Sequence, residues 1–203
     1  MDSYQIIRFI TLMCEGRPPS HGVDHMKTVR DQALRIRAAL PVQCQPAAFD
    51  VSLVALLHDV ADHKYDYDGS LMEQVKQFLI TYSIQPEPVI ACINAVSFSK
   101  ERTRGKRWFE GELGPYWTQV RDIVSDADKL EALGEVGGKR CLEYAHELGL
   151  LGHDAVKHLI QQMQDKLLHL RDHYIVTEPA KQMAGPLHDQ LVEYVLATVQ
   201  QIL

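Results

Sequence analysis

Apolar residues recur at three- and four-residue steps along most of this chain, a spacing that leaves few alternatives to a helical fold. Met26, Val29, Ala33, Ile36 and Leu40 trace one helix face. Val120, Ile123, Ala127 and Leu130 trace a second, and Val156, Leu159, Met163, Leu167 and Leu170 a third. Leu71, Val75, Phe78 and Tyr82 form a shorter stripe, while Pro88 suits the first turn of a helix carrying Val89, Ile90, Ile93 and Val96. A last helix is expected from about Leu187 to the end, on Leu191, Val192, Val195 and Val199. Breakers fall between the stripes at residues 16–22, 41–46, 69, 86–88, 111–115, 149–152 and 185–186. Period-two strands closed by Asn-Gly or Asp-Gly turns are absent. The pattern predicts an all-α helical bundle of seven to nine helices, with residues 1–203 forming a single domain and no internal repeat.

Composition narrows the class. A chain of 203 residues, 46% hydrophobic and 24% charged, has the apolar content of a globular domain, which excludes disordered, collagen-like and disulfide-scaffold proteins. A net charge of −6 argues against a stable nucleic-acid partner. No apolar stretch approaches the roughly 20 residues that span a bilayer. The start, Met1-Asp2-Ser3-Tyr4, lacks the basic region of a signal peptide. Cys14, Cys44, Cys92 and Cys141 are scattered without a CxxC pair and read as reduced core thiols. These features predict a cytoplasmic protein with no membrane partner; a homo-oligomer stays open.

One segment stands apart. Residues 51–57, Val-Ser-Leu-Val-Ala-Leu-Leu, are apolar nearly all round, so a helix there belongs in the middle of the bundle. It runs directly into His58-Asp59. A charged pair delivered by the most buried helix is costly unless a metal or a partner compensates it, and such conflicts tend to mark function. Two other His-Asp pairs have simpler explanations. Asp154, after the glycines at 149 and 152, suits a helix N-cap, and His188-Asp189 suits the first turn of the last helix. Partners for His58-Asp59 are offered by His25, at the start of the stripe from Met26, and by Asp128, at the edge of the stripe from Val120. Two imidazoles and two carboxylates make a mixed nitrogen and oxygen set suited to one divalent ion. Mn²⁺ is favoured, with Mg²⁺, Fe²⁺, Zn²⁺ or Ni²⁺ as alternatives. Four protein ligands around an octahedral ion leave two adjacent positions for water and a phosphate oxygen.

With these residues in place the sequence resembles the HD-domain superfamily of metal-dependent phosphohydrolases. His25, His58-Asp59 and Asp128 fill its H…HD…D pattern in the usual order. His21-Gly-Val-Asp-His25, Leu56-Leu-His-Asp-Val-Ala-Asp-His-Lys-Tyr65, Val96-Ser-Phe-Ser-Lys100, Ser125-Asp-Ala-Asp-Lys-Leu-Glu-Ala-Leu-Gly134 and Glu135-Val-Gly-Gly-Lys-Arg140 extend the likeness over about residues 20–180. They resemble a small stand-alone bacterial-type subgroup, some of whose members cleave nucleoside triphosphates to monophosphate and pyrophosphate. The resemblance implies an HD-type helical bundle, metal ligands His25, His58, Asp59 and Asp128, and a nucleotide as small-molecule substrate. It implies hydrolysis of (deoxy)nucleoside triphosphates. The alternatives are a nucleoside monophosphatase on the same metal site and a non-catalytic nucleotide-sensing module. Dinuclear relatives, including diiron oxygenases, supply extra histidines between HD and the last Asp. Here only His63 lies in that interval, so a mononuclear site is expected.

Several neighbours gain roles by the same likeness. Asp62, three residues after Asp59, sits where related enzymes place an acid that activates the attacking water; the alternative is an acceptor that orients a metal-bound imidazole. Lys64 and Lys129 flank the site as candidate phosphate contacts or as surface lysines. His21, in a loop marked by Pro18, Pro19, Ser20 and Gly22, reads as a lid or supporting residue rather than a ligand. Ser97 and Lys100 are candidate pocket residues. Residues 99–117 form a basic and aromatic insertion outside the resemblance, with Lys100, Arg102, Arg104, Lys106 and Arg107 ahead of Trp108, Phe109, Tyr116 and Trp117. It reads as a solvated loop with its aromatics pinned to the following helix, or as a flap over a polyphosphate. Gly134-Glu-Val-Gly-Gly-Lys139 is one residue short of a P-loop and lacks its Ser/Thr, so it reads as a tight turn between helices.

Overall fold

A computed structural model describes residues 1–18 and 21–202. Pro19 and Ser20, part of the loop expected ahead of His21, and the terminal Leu203 lie outside the described residues. The described chain is all-α, with no strand. Its helices are α1 (Ser3–Met13), α2 (Val23–Ala39), α3 (Ala48–Leu57), α4 (Ser70–Thr81), α5 (Pro86–Val96), α6 (Phe98–Arg104), α7 (Pro115–Glu131), α8 (Gly134–Glu147), α9 (His153–Gln162) and α10 (Glu178–Ile202). Ten helices among the described residues exceed the expected seven to nine, because α6 and α8 occupy stretches whose glycines or charge suggested a loop or a turn. None is long and apolar enough to cross a membrane. By internal contacts the chain divides into two compact units, Met1–Ser125 and Asp126–Leu203. The division falls inside α7, which runs unbroken from Pro115 to Glu131.

In the first unit α3 is the core. Val51 and Leu53 to Leu57 are completely shielded from solvent, and α3 packs against α1, α2 and α5. Each valine and leucine among them contributes about 1.5–3 kcal/mol by its burial, which is why the most apolar segment occupies the centre. Asp2 and Gln5 open α1 with a reciprocal cap: the Gln5 amide donates to Asp2 Oδ1 at 2.9 Å, and the Asp2 amide donates to Gln5 Oε1 at 2.8 Å. Phe9 of α1 stacks on Phe78 of α4 with centroids 4.1 Å apart.

The stretch expected as a loop at 99–117 begins as a helix, and a buried cation sets its position. Arg121 of α7 is fully buried. It donates to the Ala95 carbonyl at 2.8 Å, pairs with Glu101 of α6 at 3.0 Å and with Asp122 at 3.2 Å, and lies 4.2 Å from the Phe109 ring centroid. The guanidinium fork thus joins the end of α5, the inner face of α6 and the aromatic turn after it. Phe109 is pinned as the sequence suggests, while Trp108 is half-buried under Arg104. Among the thiols, Cys14 and Cys92 are buried and Cys44 is exposed, in the 3₁₀ turn Val42–Cys44 that the neighbouring prolines leave at the surface.

In the second unit α8 packs on α9 and α10. Gly134 provides the turn, with φ +74°, but the glycines after it lie in α8 itself rather than in a turn. Their missing side chains permit close approach. A Cβ on Gly137 would stand 2.1 Å from the Ala132 carbonyl oxygen, and one on Gly138 would stand 2.3 Å from the Tyr194 ring. The stripe from Val156 stays buried to Leu170, yet α9 ends at Gln162 and two π-helical turns, Met163–Leu167 and Leu170–Tyr174, carry it on. Their wider turn keeps Met163 and Leu167, four apart, on one side. Gly152, not Asp154, occupies the cap position of α9, and Asp154 sits in its first turn, where it complements the dipole. The last helix starts at Glu178, not near Leu187, and passes through Pro186, which leaves His188-Asp189 mid-helix. Pro186 removes one ladder hydrogen bond, but the buried series Ala180, Ala184, Leu191 and Val195 continues on both sides and outweighs that loss.

Replacing Gly137 by Ala is expected to destabilise the protein by about 1–3 kcal/mol, because the new methyl meets backbone that cannot swing aside. Gly185→Ala, which has open space around its Cβ, should be neutral or slightly stabilising in α10. Thermal unfolding of both variants checks the pair, and equal midpoints would contradict the packing of α8.

Candidate metal centre

His58 terminates α3 and is buried with it. Its ring Nδ1 lies 2.8 Å from the Ala55 carbonyl. A carbonyl only accepts, so Nδ1 carries a proton and Nε2 is the ring nitrogen turned to the site. His25, in the first turn of α2, is also buried. The two rings meet edge to face with centroids 5.3 Å apart. Asp59 bridges them, with His25 Nε2 at 3.3 Å from Oδ2 and His58 Nε2 at 3.4 Å from Oδ1. Burial by itself raises the Asp59 carboxyl. The charge of His58, the hydrogen bond and charge of His25 and the charge of His21 outweigh it and hold the group far below the usual carboxylate range.

Ligand atoms of His25, His58 and Asp128, one from each, all lie within 4.8 Å of one another. That is the spacing of donors around one cation, and the chemistry of the set, imidazole plus carboxylate, fits a divalent ion. The choice between the two acids of Asp126-Ala-Asp128 is also clear. Asp126 is fully buried and spent on its own unit: it accepts from the Val176 amide at 3.0 Å and from the Thr177 amide and hydroxyl at 2.7 Å each. Burial raises its carboxyl, and these bonds, with the charge of Lys129, act against that rise. Asp126 therefore ties down the approach to α10, a role the sequence did not disclose. A buried acid three positions after Ile123 in the stripe was the available signal. Lys129, read as a phosphate contact, is 3% exposed and acts on Asp126 instead of standing at the surface.

The helix does not continue from Asp59 to Asp62. Three-residue turns replace it, with the Val60 amide donating to Leu57 O at 3.1 Å and the Asp62 amide to Asp59 O at 3.2 Å. Arg17 caps the freed carbonyls, donating to Asp59 O at 2.8 Å and Val60 O at 2.6 Å, while its guanidinium lies 4.3 Å above the Tyr65 ring. No local pattern around Arg17 announces that cap. Asp62 is half-buried, and its Oδ1 accepts from the Lys64 amide at 2.9 Å and faces His63 Nδ1 at 3.3 Å. The Lys64 ammonium reaches His21 Nε2 at 3.3 Å, so these two candidates meet, and His21 precedes α2 in a turn rather than joining its face. Ser97 links α5 to α6 and pairs with Ser99 at 3.0 Å. Lys100 donates to Asn94 at 2.5 Å and feels the charge of Asp62.

No family model matches the chain. Among curated proteins it is 27% identical to YpgQ of Bacillus subtilis (strain 168) over 196 residues, 94% of this chain and 89% of that protein. It is 27% identical over 146 residues to L803 of Acanthamoeba polyphaga mimivirus, 64% of this chain, and the match spans 55% of the viral protein. The crystal structure of YpgQ in complex with ADP superposes with a TM-score of 0.74 at 24% identity, covering 99% of this chain and 98% of that one. An HD-superfamily hydrolase from Bacillus thuringiensis gives 0.70 at 23% identity, covering 98% and 95%. These likenesses show that the chain has the fold of an HD-superfamily hydrolase.

The Arg17 cap makes a specific demand on side-chain shape. Arg17→Lys keeps the charge but loses the two-pronged donor, and is expected to cost about 1.5–3 kcal/mol, nearly as much as Arg17→Ala. Urea denaturation of the two variants measures this; full rescue by lysine would show that charge alone matters.

Proposed function

We propose that the chain is a metal-dependent HD-domain phosphohydrolase that acts on (deoxy)nucleoside triphosphates and releases monophosphate and pyrophosphate. The observation that carries this reading is the meeting of His25, His58 and Asp128 ligand atoms within 4.8 Å at the end of an apolar helix whose last five residues, Leu53 to Leu57, are buried. A nucleotide as substrate is supported by the ADP complex of the similarly folded YpgQ. In this proposal His25, His58, Asp59 and Asp128 hold one divalent ion, with Mn²⁺ favoured. A divalent ion held there would supply Lewis-acid polarisation of a phosphoryl oxygen and a lowered pKa for water.

The remaining work falls to side chains of the chain. The Ala55 carbonyl keeps His58 in the tautomer that presents Nε2. Asp62 takes the proton of the attacking water, its carboxylate held by the Lys64 amide so that it need not reorganise as charge develops. Lys64, beside His21, is placed to offset phosphate charge. A cytoplasmic setting, where nucleotides are at hand, belongs to the same reading.

A panel of nucleotides with Mn²⁺, Mg²⁺ or chelator, scored separately for pyrophosphate and phosphate, tests the assignment. Pyrophosphate release that chelator abolishes is expected; phosphate without pyrophosphate would replace it with a monophosphatase. Asp59→Ala should lose activity and bound metal together, and retained turnover would show that the site is misplaced. Asp62→Asn should behave differently, keeping the metal while turnover falls by about 10²–10⁴-fold. Metal analysis alongside the rate distinguishes the two.

A further inference from the structure

The first unit holds a cleft of about 490 Å³, in the size range of small-molecule sites. Lys76 of α4, Asn94 of α5, Lys100 and Arg104 of α6, and Trp108 line it. Lys100 and Arg104 are four residues apart and so share one face of α6. The next residue, Glu101, lies a quarter-turn or so around the helix from Lys100 and is buried against Arg121 at 3.0 Å. That buried pair fixes the rotation of α6, and with it the direction of both cations. Burial, then the charge of Arg104, pushes the Lys100 ammonium down, against the opposing charge of Asp62. The Arg104 guanidinium lies 4.6 Å above the Trp108 ring, and the indole N–H is buried with no hydrogen-bond partner. Three cations suit a ligand rich in acceptor oxygens. Glu87 and Glu112 also line the cleft, which leaves its walls cationic by a single charge.

We infer that this cleft is a pyrophosphate-binding site, in which Lys76, Lys100 and Arg104 hold the β- and γ-phosphates of the substrate and then the leaving pyrophosphate. Its place in the reaction rests on the function proposed above; its affinity for the anion does not. Asp62, the carboxylate proposed to activate water, acts on the charge of Lys100, one of the cations of the cleft. Water oxygen bonds to the α-phosphorus and its proton passes to Asp62. The bond from that phosphorus to the bridging oxygen breaks, and the electron pair leaves with pyrophosphate into the cleft.

Calorimetric titration of the full chain with inorganic pyrophosphate, in chelator and without metal, tests the site directly. Binding is expected to weaken by about tenfold in Lys76→Ala and in Arg104→Ala, and to weaken with added salt. Arg102→Ala removes the same charge from α6 but does not line the cleft, and should change affinity by less than about twofold. All three side chains are at least partly exposed, so folding is not at stake. No binding up to about 1 mM pyrophosphate, or equal losses in Arg102→Ala and Arg104→Ala, would overturn the assignment. The two proposals fail separately. Pyrophosphate binding without hydrolysis of any nucleotide would sink the metal-dependent activity and leave the cleft as a polyphosphate site. Nucleotide cleavage with pyrophosphate affinity unchanged in Arg104→Ala would sink the cleft alone.

Discussion

Two imidazoles and a carboxylate face one another at 3.3–3.4 Å where the most apolar helix of the protein ends, and the construction of the first unit answers to that contact. Taking ionisable groups out of water costs several kcal/mol each unless hydrogen bonds and opposite charge replace the solvent. The replacements are present. The Ala55 carbonyl accepts a hydrogen bond from His58 Nδ1, both oxygens of Asp59 face histidine nitrogens, and Arg17 covers the carbonyls of Asp59 and Val60 after the end of α3. The helix stops at this point, where three-residue turns take over from its ladder. A continued ladder would occupy the Val60 carbonyl that Arg17 now binds.

Two further buried networks hold the surrounding elements, one in each unit. Arg121 gathers the end of α5, α6 and the Phe109 turn around a single guanidinium. Asp126 gathers the amides of Val176 and Thr177 ahead of α10. Both are charged groups without solvent, and both are satisfied by fixed partners, so each specifies one arrangement of the segments it touches. They also separate structural charge from chemical charge. In Asp126-Ala-Asp128 the first acid is consumed by backbone donors, while an oxygen of the second stands among the histidine nitrogens.

Where sequence reasoning went astray, local preference was overridden by packing. Gly185 and Pro186 mark a break by every local rule, yet α10 runs through them because its buried face continues from Ala184 to Leu191. Gly137 and Gly138 suggest a turn, but they are where α8 needs no side chains, against Ala132 and Tyr194. The charge run from Lys100 to Arg107 suggests a solvated loop; Glu101, one residue within it, is buried on Arg121 and makes the stretch helical. In each case the deciding partner lies far along the chain or on another helix.

From the amino-acid order alone, the helical class, the central position of residues 51–57, and the singling out of His25, His58, Asp59 and Asp128 could be read. Periodicity and the cost of burying charge are properties of a segment and its immediate neighbours. Tertiary structure alone decided that Asp126 is an anchor, that Arg17 caps the turn after His58, and that Lys100 and Arg104 share a cleft with Lys76 and Trp108. Those outcomes depend on which groups meet across tens of residues of chain. A hydrogen bond or an ion pair has its worth only once both partners have been brought to the same place.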